Sequence, residues 1–399
     1  MVRLFLLLTV AVYGQDFPIR TYVADLDDTS VTLAWGRADG TTRNTIGRGA
    51  AGAGTAEITI DGRTLPASGS WLRVTGLKPD TAYPYSLAIN GTEVARASVR
   101  TWPEKSDSLT FFVIGDFGNG SRNQFEMAAR MEEERGRLEK SNRHVRFVLS
   151  TGDNIYGKLS DGGAQDRDWE KKFFAPYAET LRAIPFKAVL GNHDGNESER
   201  AADLGTCLDN FFMPDRWYRF EYASFVEFIN LDSTTNQPTG RPAPVYLPDG
   251  EQSKWLGDKL SKPPLPWRLV TVHHPMFTAG PNHKPFLDSA PHWFLALRSA
   301  GVQAVFSGHE HNFQFSERSP DTGNMQFVVS GAGGELRASS VRKKMAARHI
   351  AAWGNQIHFL VVHISGKQMT IEPIGIAPFK LVSAGDNAAT IPLSVPSTR

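Results

Sequence analysis

Residues 145–157, VRFVLSTGDNIYG, set the terms for reading the whole chain. Six strand-forming residues end at Ser150, and a glycine-led turn then presents a carboxylate, an amide and a phenol at Asp153, Asn154 and Tyr156. A short, almost continuous apolar run marks a strand buried on both faces, which requires helices over the sheet. Four more segments share that texture: LTFFVIGDFG at 109–118, FKAVLGNHD at 186–194, WRLVTVHHP at 267–275 and VQAVFSGHEH at 302–311. In such sheets ligands gather beyond the carboxyl ends of the strands, so the five polar endings are expected to converge.

Between these runs lie helical patterns. Phe125, Ala128, Met131 and Leu138 fall at roughly helical spacing, EQSKWLGDKL at 251–260 is amphipathic, and APHWFLALRSAG at 290–301 stops at a glycine. WYRFEYASFVEFINLDS at 217–233 reads as two strands of a hairpin. Residues 107–380 therefore form an α/β domain of mixed β-sheets sandwiched by helices. Residues 16–103 are all-β. SVTLAWGR and AEITIDGR alternate, and Asn90-Gly91 is a hairpin turn, which predicts a small β-sandwich acting as a spacer or docking module. Residues 381–399, small and polar, read as a loosely ordered tail.

Lys and Arg total 43 against 42 Asp and Glu, a net charge of +1, so no nucleic-acid-binding surface is expected. Residues 1–14, MVRLFLLLTVAVYG, carry Arg3, an apolar stretch and small residues before a cut. They predict a cleaved signal peptide, a secreted or periplasmic protein and no stable membrane insertion. Cys207 is the sole cysteine and cannot form an internal bridge. Nothing in the sequence speaks to oligomeric state.

The five endings supply Asp116, Asp153, Tyr156, Asn192, His193, Asp194, His273, His309 and His311. Oxygen and imidazole donors without a thiolate suit iron, manganese or zinc. The donors outnumber the needs of one ion, and two ions need a bridging carboxylate, an arrangement that assists in-line displacement on phosphates. His309 and His311 alternate, so an extended segment would turn both to one side, whereas the adjacent His273 and His274 would point apart.

The ordered series GDFG, GDNIY, GNHD, VHHP and GHEH resembles the calcineurin-like metallophosphoesterase superfamily. Tyr156, three places after Asp153, resembles the purple acid phosphatases within it, and SGAGG at 330–334 continues the likeness. Trp35, LKPDTAYPYSLAI and VRTWPE are similar to a fibronectin type III domain. The resemblance implies two metal ions. Ferric iron would sit on Asp116, Asp153, Tyr156 and His311, and a divalent Fe, Zn or Mn ion on Asp153, Asn192, His273 and His309. It also implies hydrolysis of small phosphate monoesters by a metal-activated hydroxide. His193 would contact the phosphate or assist the leaving group, and His283 would act as general acid. Asp194 is expected to orient His193, as carboxylates fix an imidazole tautomer. Asn154 and Ile155 would merely form the turn. The alternatives are a phosphodiesterase or nucleotidase of the same superfamily, or a non-catalytic binding protein acting through its β domain.

Overall fold

Alternation of apolar and polar residues in the amino-terminal region produces strands with one buried face. The computed structural model describes residues 17–40, 46–50, 52, 54–157, 162–195, 204–235, 245–280, 282–337, 340–384 and 389–397. Residues 1–14, read as a signal peptide, lie outside them. The first strands are β1 (Arg20–Leu26), β2 (Ser30–Gly36), β3 (Ala56–Ile60), β4 (Arg63–Ala67), β5 (Trp71–Thr75), β6 (Ala82–Ile89) and β7 (Thr92–Arg100). They form two antiparallel sheets, ordered β1-β2-β5 and β4-β3-β6-β7, the expected sandwich. Asn90 and Gly91 both take positive φ, 50° and 77°, as the tight hairpin turn between β6 and β7 demands.

The second region alternates strands and helices. It begins with β8 (Ser108–Ile114), α1 (Arg122–Lys140), β9 (Val145–Ser150), α2 (Ala178–Ala183), β10 (Phe186–Ala188) and α3 (Gly205–Asn210). There follow β11 (Tyr218–Tyr222), β12 (Val226–Leu231), α4 (Glu251–Ser261), β13 (Trp267–Val272), α5 (Pro291–Ser299), β14 (Ala304–Ser307), β15 (Phe313–Ser316) and β16 (Gln326–Ser330). Last come β17 (Ile350–Gly354), β18 (His358–Ser365), β19 (Gln368–Gly375), β20 (Val382–Ser383) and β21 (Leu393–Pro396). One sheet is ordered β10-β9-β8-β18-β19-β21 and the other β11-β12-β13-β14-β16-β15-β17-β20. The strands that carry the motifs pair in parallel, β10 with β9, β9 with β8 and β13 with β14, and so their carboxyl ends share one side of each sheet.

Period-two alternation explains the continuous apolar runs. Phe111, Val113, Phe147 and Leu149 face inward against Phe228, Leu269 and Phe306 of the other sheet. Phe112, Ile114 and Val148 face outward, under Met127, Met131 and Leu138 of α1. On the far side Val270, Val272 and Val305 lie under Leu256 of α4 and Trp293 and Leu297 of α5. Each large apolar side chain buried this way contributes roughly 1.5–3 kcal/mol. The result is helix, sheet, sheet, helix.

Two expectations need correction. Phe125 is 39% exposed, and the covered face of α1 is instead centred on Gln124, Met127 and Met131. Gln124 belongs inside because its amide donates to the Lys172 carbonyl, a long-range partner that spacing cannot reveal. In the carboxyl-terminal segment, residues 381–384 and 389–397 are not a loose tail. β20 pairs with β17 and β21 with β19, extending both sheets, and Val395 is wholly buried. Pro392 and Pro396 hide that strand from pattern reading, yet β21 is an edge strand, where proline is tolerated.

The sandwich and the second region share a buried seam. Trp102 packs on Phe147 and Tyr222, Arg146 Nη2 lies 2.9 Å from Asp80 Oδ1, and Lys187 Nζ lies 2.5 Å from Asp25 Oδ1. Arg20 also pairs with Glu170 across it.

Candidate active site

The polar endings of β8, β9, β10, β13 and β14 meet where the two sheets present their carboxyl ends. Leaving the strands costs backbone strain: Asp116, Asp153 and His309 take φ of 56°, 50° and 69°. Left-handed backbone costs roughly 1–2 kcal/mol per non-glycine residue, so the surroundings must hold it. Backbone ties do so. Asp116 N donates to the Gly152 carbonyl at 3.0 Å, Tyr156 N to Gly118 at 2.9 Å and Gly333 N to Gly115 at 2.8 Å. Two motif glycines are required by close approach: a Cβ on Gly191 would overlap Asp153 Oδ1, and one on Gly308 would overlap Asp116 Oδ2.

On one side of the cluster, His311 Nε2 lies 3.3 Å from Asp116 Oδ1 and 3.2 Å from the Tyr156 hydroxyl, which is 3.4 Å from Asp116 Oδ1. On the other side, Asn192 Oδ1 sits 3.0 Å from His273 Nε2 and 2.9 Å from His309 Nδ1. His273 Nε2 is also 3.4 Å from Asp153 Oδ1. Ligands about 2.0–2.2 Å from a cation stand roughly 3 Å from one another, so both groups have the spacing of coordination shells. Donor atoms of Asp116, Asp153 and His273 fall within 4.8 Å of one another, as do those of His273, His274 and His309.

The electrostatics favour a cation. Asp116 and Asp153 are 0% and 1% exposed, and Asp153 Oδ2 is buried without a hydrogen-bond partner. Burial first, then repulsion by Asp153, pushes the Asp116 carboxyl well above its usual range. Burial lowers His273 to about 3 and His309 well below the ordinary imidazole value, keeping both in the neutral form that ligates. His273 Nδ1 meets the Thr151 carbonyl at 2.8 Å, which leaves Nε2 for the site.

Several sequence-based roles change. Asp194 does not turn to the His193 ring. Its oxygens accept from the backbone of Asn154, Ile155 and Gly191 at 2.9, 3.1 and 2.8 Å and from Asn154 Nδ2 at 2.8 Å. It is a knot between the GDNIY and GNHD loops, although burial, with Asp153 nearby, raises its carboxyl to about 8. Asn154 is likewise more than a turn former, since its Nδ2 also donates to the Val189 carbonyl at 2.9 Å. His193 lies exposed, its ring 4.7 Å from that of Tyr156 and its backbone N–H donating to Asp153 Oδ1 at 2.8 Å. His274 turns toward the centre, 4.3 Å from the His309 ring, because β13 ends before it and strand alternation no longer applies. Its Nδ1 meets Ser233 Oγ at 2.7 Å, and its ring stacks on Phe286. His309 and His311 occupy a bent segment beyond β14, not an extended one, and reach opposite halves of the cluster.

Sequence reasoning missed Lys172, whose buried ammonium bridges Asp166 Oδ2 and the Tyr156 carbonyl, both at 2.7 Å. It also passed over Glu310, although a charged residue between two candidate ligands was itself a signal.

A family model for calcineurin-like phosphoesterases matches residues 109–313, from the start of β8 to beyond His311. The chain belongs to that family. It is 26% identical over 324 residues to tartrate-resistant acid phosphatase type 5 of Sus scrofa, covering 74% of this chain and 92% of that protein. It is 26% identical over 260 residues to purple acid phosphatase 4 of Arabidopsis thaliana, covering 60% of this chain and 73% of that one. The solved purple acid phosphatase PPD1 from yellow lupin (Lupinus luteus) seeds shares the fold, with TM-score 0.64 and 14% identity over 92% of this chain and 74% of that one. This phosphoesterase is of the purple acid phosphatase-like type, a metal-dependent phosphoric-ester hydrolase. Among the described residues, no helix is long and apolar enough to cross a membrane.

Proposed function

We propose that this phosphoesterase is an exported phosphatase that hydrolyses small phosphate monoesters at a two-cation centre. Asp116, Asp153, Tyr156 and His311 would hold a ferric ion, and Asp153, Asn192, His273 and His309 a divalent iron, zinc or manganese ion. The observation that carries the proposal is the buried Asp153 carboxylate lying between the two donor groups with an oxygen left unpartnered. Burial first, then the charges of Asp116 and Asp153, pushes the Tyr156 phenol well above its ordinary value, so a highly charged cation suits it as phenolate. When bound, the pair supplies water activation and charge neutralisation on the phosphate.

The chain's own groups do the rest. His193, exposed beside Tyr156, would hydrogen-bond a phosphate oxygen, and His283, whose ring lies 3.8 Å from that of His309, would protonate the leaving oxygen. Export rests on the character of residues 1–14.

Metal analysis and an absorption spectrum of the purified protein test the centre. Two ions per chain and a visible band that Tyr156→Phe loses are expected; no band in oxidised, iron-loaded protein rejects the ferric tyrosinate. A panel of mono- and diesters tests the substrate class, and faster turnover of diesters would replace the monoester reading with the phosphodiesterase one.

A further inference from the structure

The tetrapeptide GHEH carries a third functional group between its two histidines. Glu310 is wholly buried, and among the described residues its one ion-pair partner is His283, with no Lys or Arg pairing its carboxylate. Oε1 accepts from His283 N at 2.9 Å and lies 3.1 Å from His283 Nδ1, while Oε2 has no partner. A buried carboxylate whose second oxygen goes unpartnered is costly to keep, and its only charged neighbour among the described residues is the imidazole it touches.

The loop that brings His283 to Glu310 is built for the approach. Any Cβ on Gly280 would overlap the Glu310 carboxylate, so only glycine admits it there. Gly280 N donates to Thr278 Oγ1 at 2.8 Å, and Ala279 N to Gln314 Oε1 at 2.8 Å, which pins the loop before the histidine. His283 itself is part exposed, its ring packed on that of His309. A carboxylate can only accept, so Nδ1 carries the proton of that hydrogen bond, and Nε2, across the ring, is the nitrogen left for a substrate.

We propose that Glu310 is a positioning residue, which through Nδ1 fixes the His283 ring so that Nε2 meets the leaving-group oxygen. The inference rests on His283 as the proton donor of the proposed reaction. As the ester P–O bond breaks, its electron pair goes to the leaving oxygen, which takes the Nε2 proton and departs as the alcohol. Water supplies the oxygen of the new P–O bond; one of its protons stays with the phosphate product, and the other passes to solvent, from which Nε2 is reprotonated. His283 keeps its Nδ1 proton on Glu310 throughout. Because Glu310 adjoins His309, one short segment sets both a candidate ligand and the distance of the acid from it.

The test compares an alkyl ester, glycerol phosphate, with p-nitrophenyl phosphate, whose leaving group departs without a proton. Glu310→Gln and His283→Asn should each lower kcat on glycerol phosphate by roughly 10- to 100-fold, and at least about tenfold less on the nitrophenyl ester. The double variant should be no slower than His283→Asn alone, with KM and bound metal unchanged. Glu310→Asp, which withdraws the carboxylate by one methylene, should reproduce the pattern and serves if the Gln variant misfolds. Equal losses on both esters, or lost metal, in the Glu310 variants overturn the positioning role. If His283→Asn shows the leaving-group dependence and the Glu310 variants do not, positioning falls and the acid stands. If His283→Asn shows none, the acid assignment falls, and positioning with it.

Discussion

The β-sandwich and the phosphoesterase region both place non-glycine residues at positive φ in exposed turns, Asn142 and Asn324 among them in the latter, but only the phosphoesterase region also spends that strain at buried strand ends. In the sandwich, Asp61, Asp80 and Asn90 hold φ of 53°, 46° and 50° in exposed turns. In the other region, Asp116 and Asp153 hold 56° and 50° while buried at strand ends, with His309 at 69° beside them. The first group only reverses the chain. The second aims side chains at one point, and buried loops tied to one another keep it there. The histidines divide the same way: all 11 lie at or beyond residue 144, and the sandwich has none. Strand endings become functional where both faces of the sheet are covered and the only open side is the end.

The sharpest break of this comparison is Asp153→Ala. Removing the carboxylate proposed to be shared should cost roughly 10³-fold or more in phosphatase activity and lower the metal content, read by turnover and elemental analysis. A metal-free variant with full activity would mean that the buried strain serves no centre. Trp102→Ala attacks the seam instead. Removing that buried indole should destabilise the chain by about 3–5 kcal/mol in denaturant unfolding, with kcat of the folded fraction unchanged. Two separate transitions would show that the regions differ in autonomy as well as in use.

The uneven histidine distribution predicts that the loss of stability between pH 6.5 and 4 arises in the phosphoesterase region. Burial lowers His358 to about 4, against roughly 6.5 in the unfolded chain. Its contribution is fully present above pH 6.5, because the unfolded chain gains a proton first, and is lost as pH falls toward 4. The loss amounts to about 3 kcal/mol. His358→Gln should flatten the stability profile over that window; an unchanged slope would remove His358 as its source. The smallest effect is expected in the sandwich. Gly91→Ala, at φ of 77°, should cost about 1 kcal/mol in melting experiments and leave kcat untouched.

Much of this was legible because it depends on local rules. Apolar runs of five to seven residues announced the doubly covered strands, and Asn90-Gly91 announced its hairpin. The motif order announced the family, which the match over residues 109–313 shows. Apart from the carboxyl-terminal strands and His274, what failed to show through has one cause. Gln124, Asp194, Asn154 and Glu310 are all assigned by partners distant in sequence: the Lys172 carbonyl, the GDNIY backbone, the Val189 carbonyl and His283. No periodicity encodes such pairs.

The sequence alone determined the strands, their glycine-led endings and the residue types placed there, since these follow from side-chain period and backbone freedom. Only the tertiary structure decided which neighbour each polar group takes. It turned His274 inward, withheld Asp194 from His193 and set Glu310 against His283. A buried polar atom must find its partner wherever the packed chain offers one, and that choice exists only after the sheets and loops have closed.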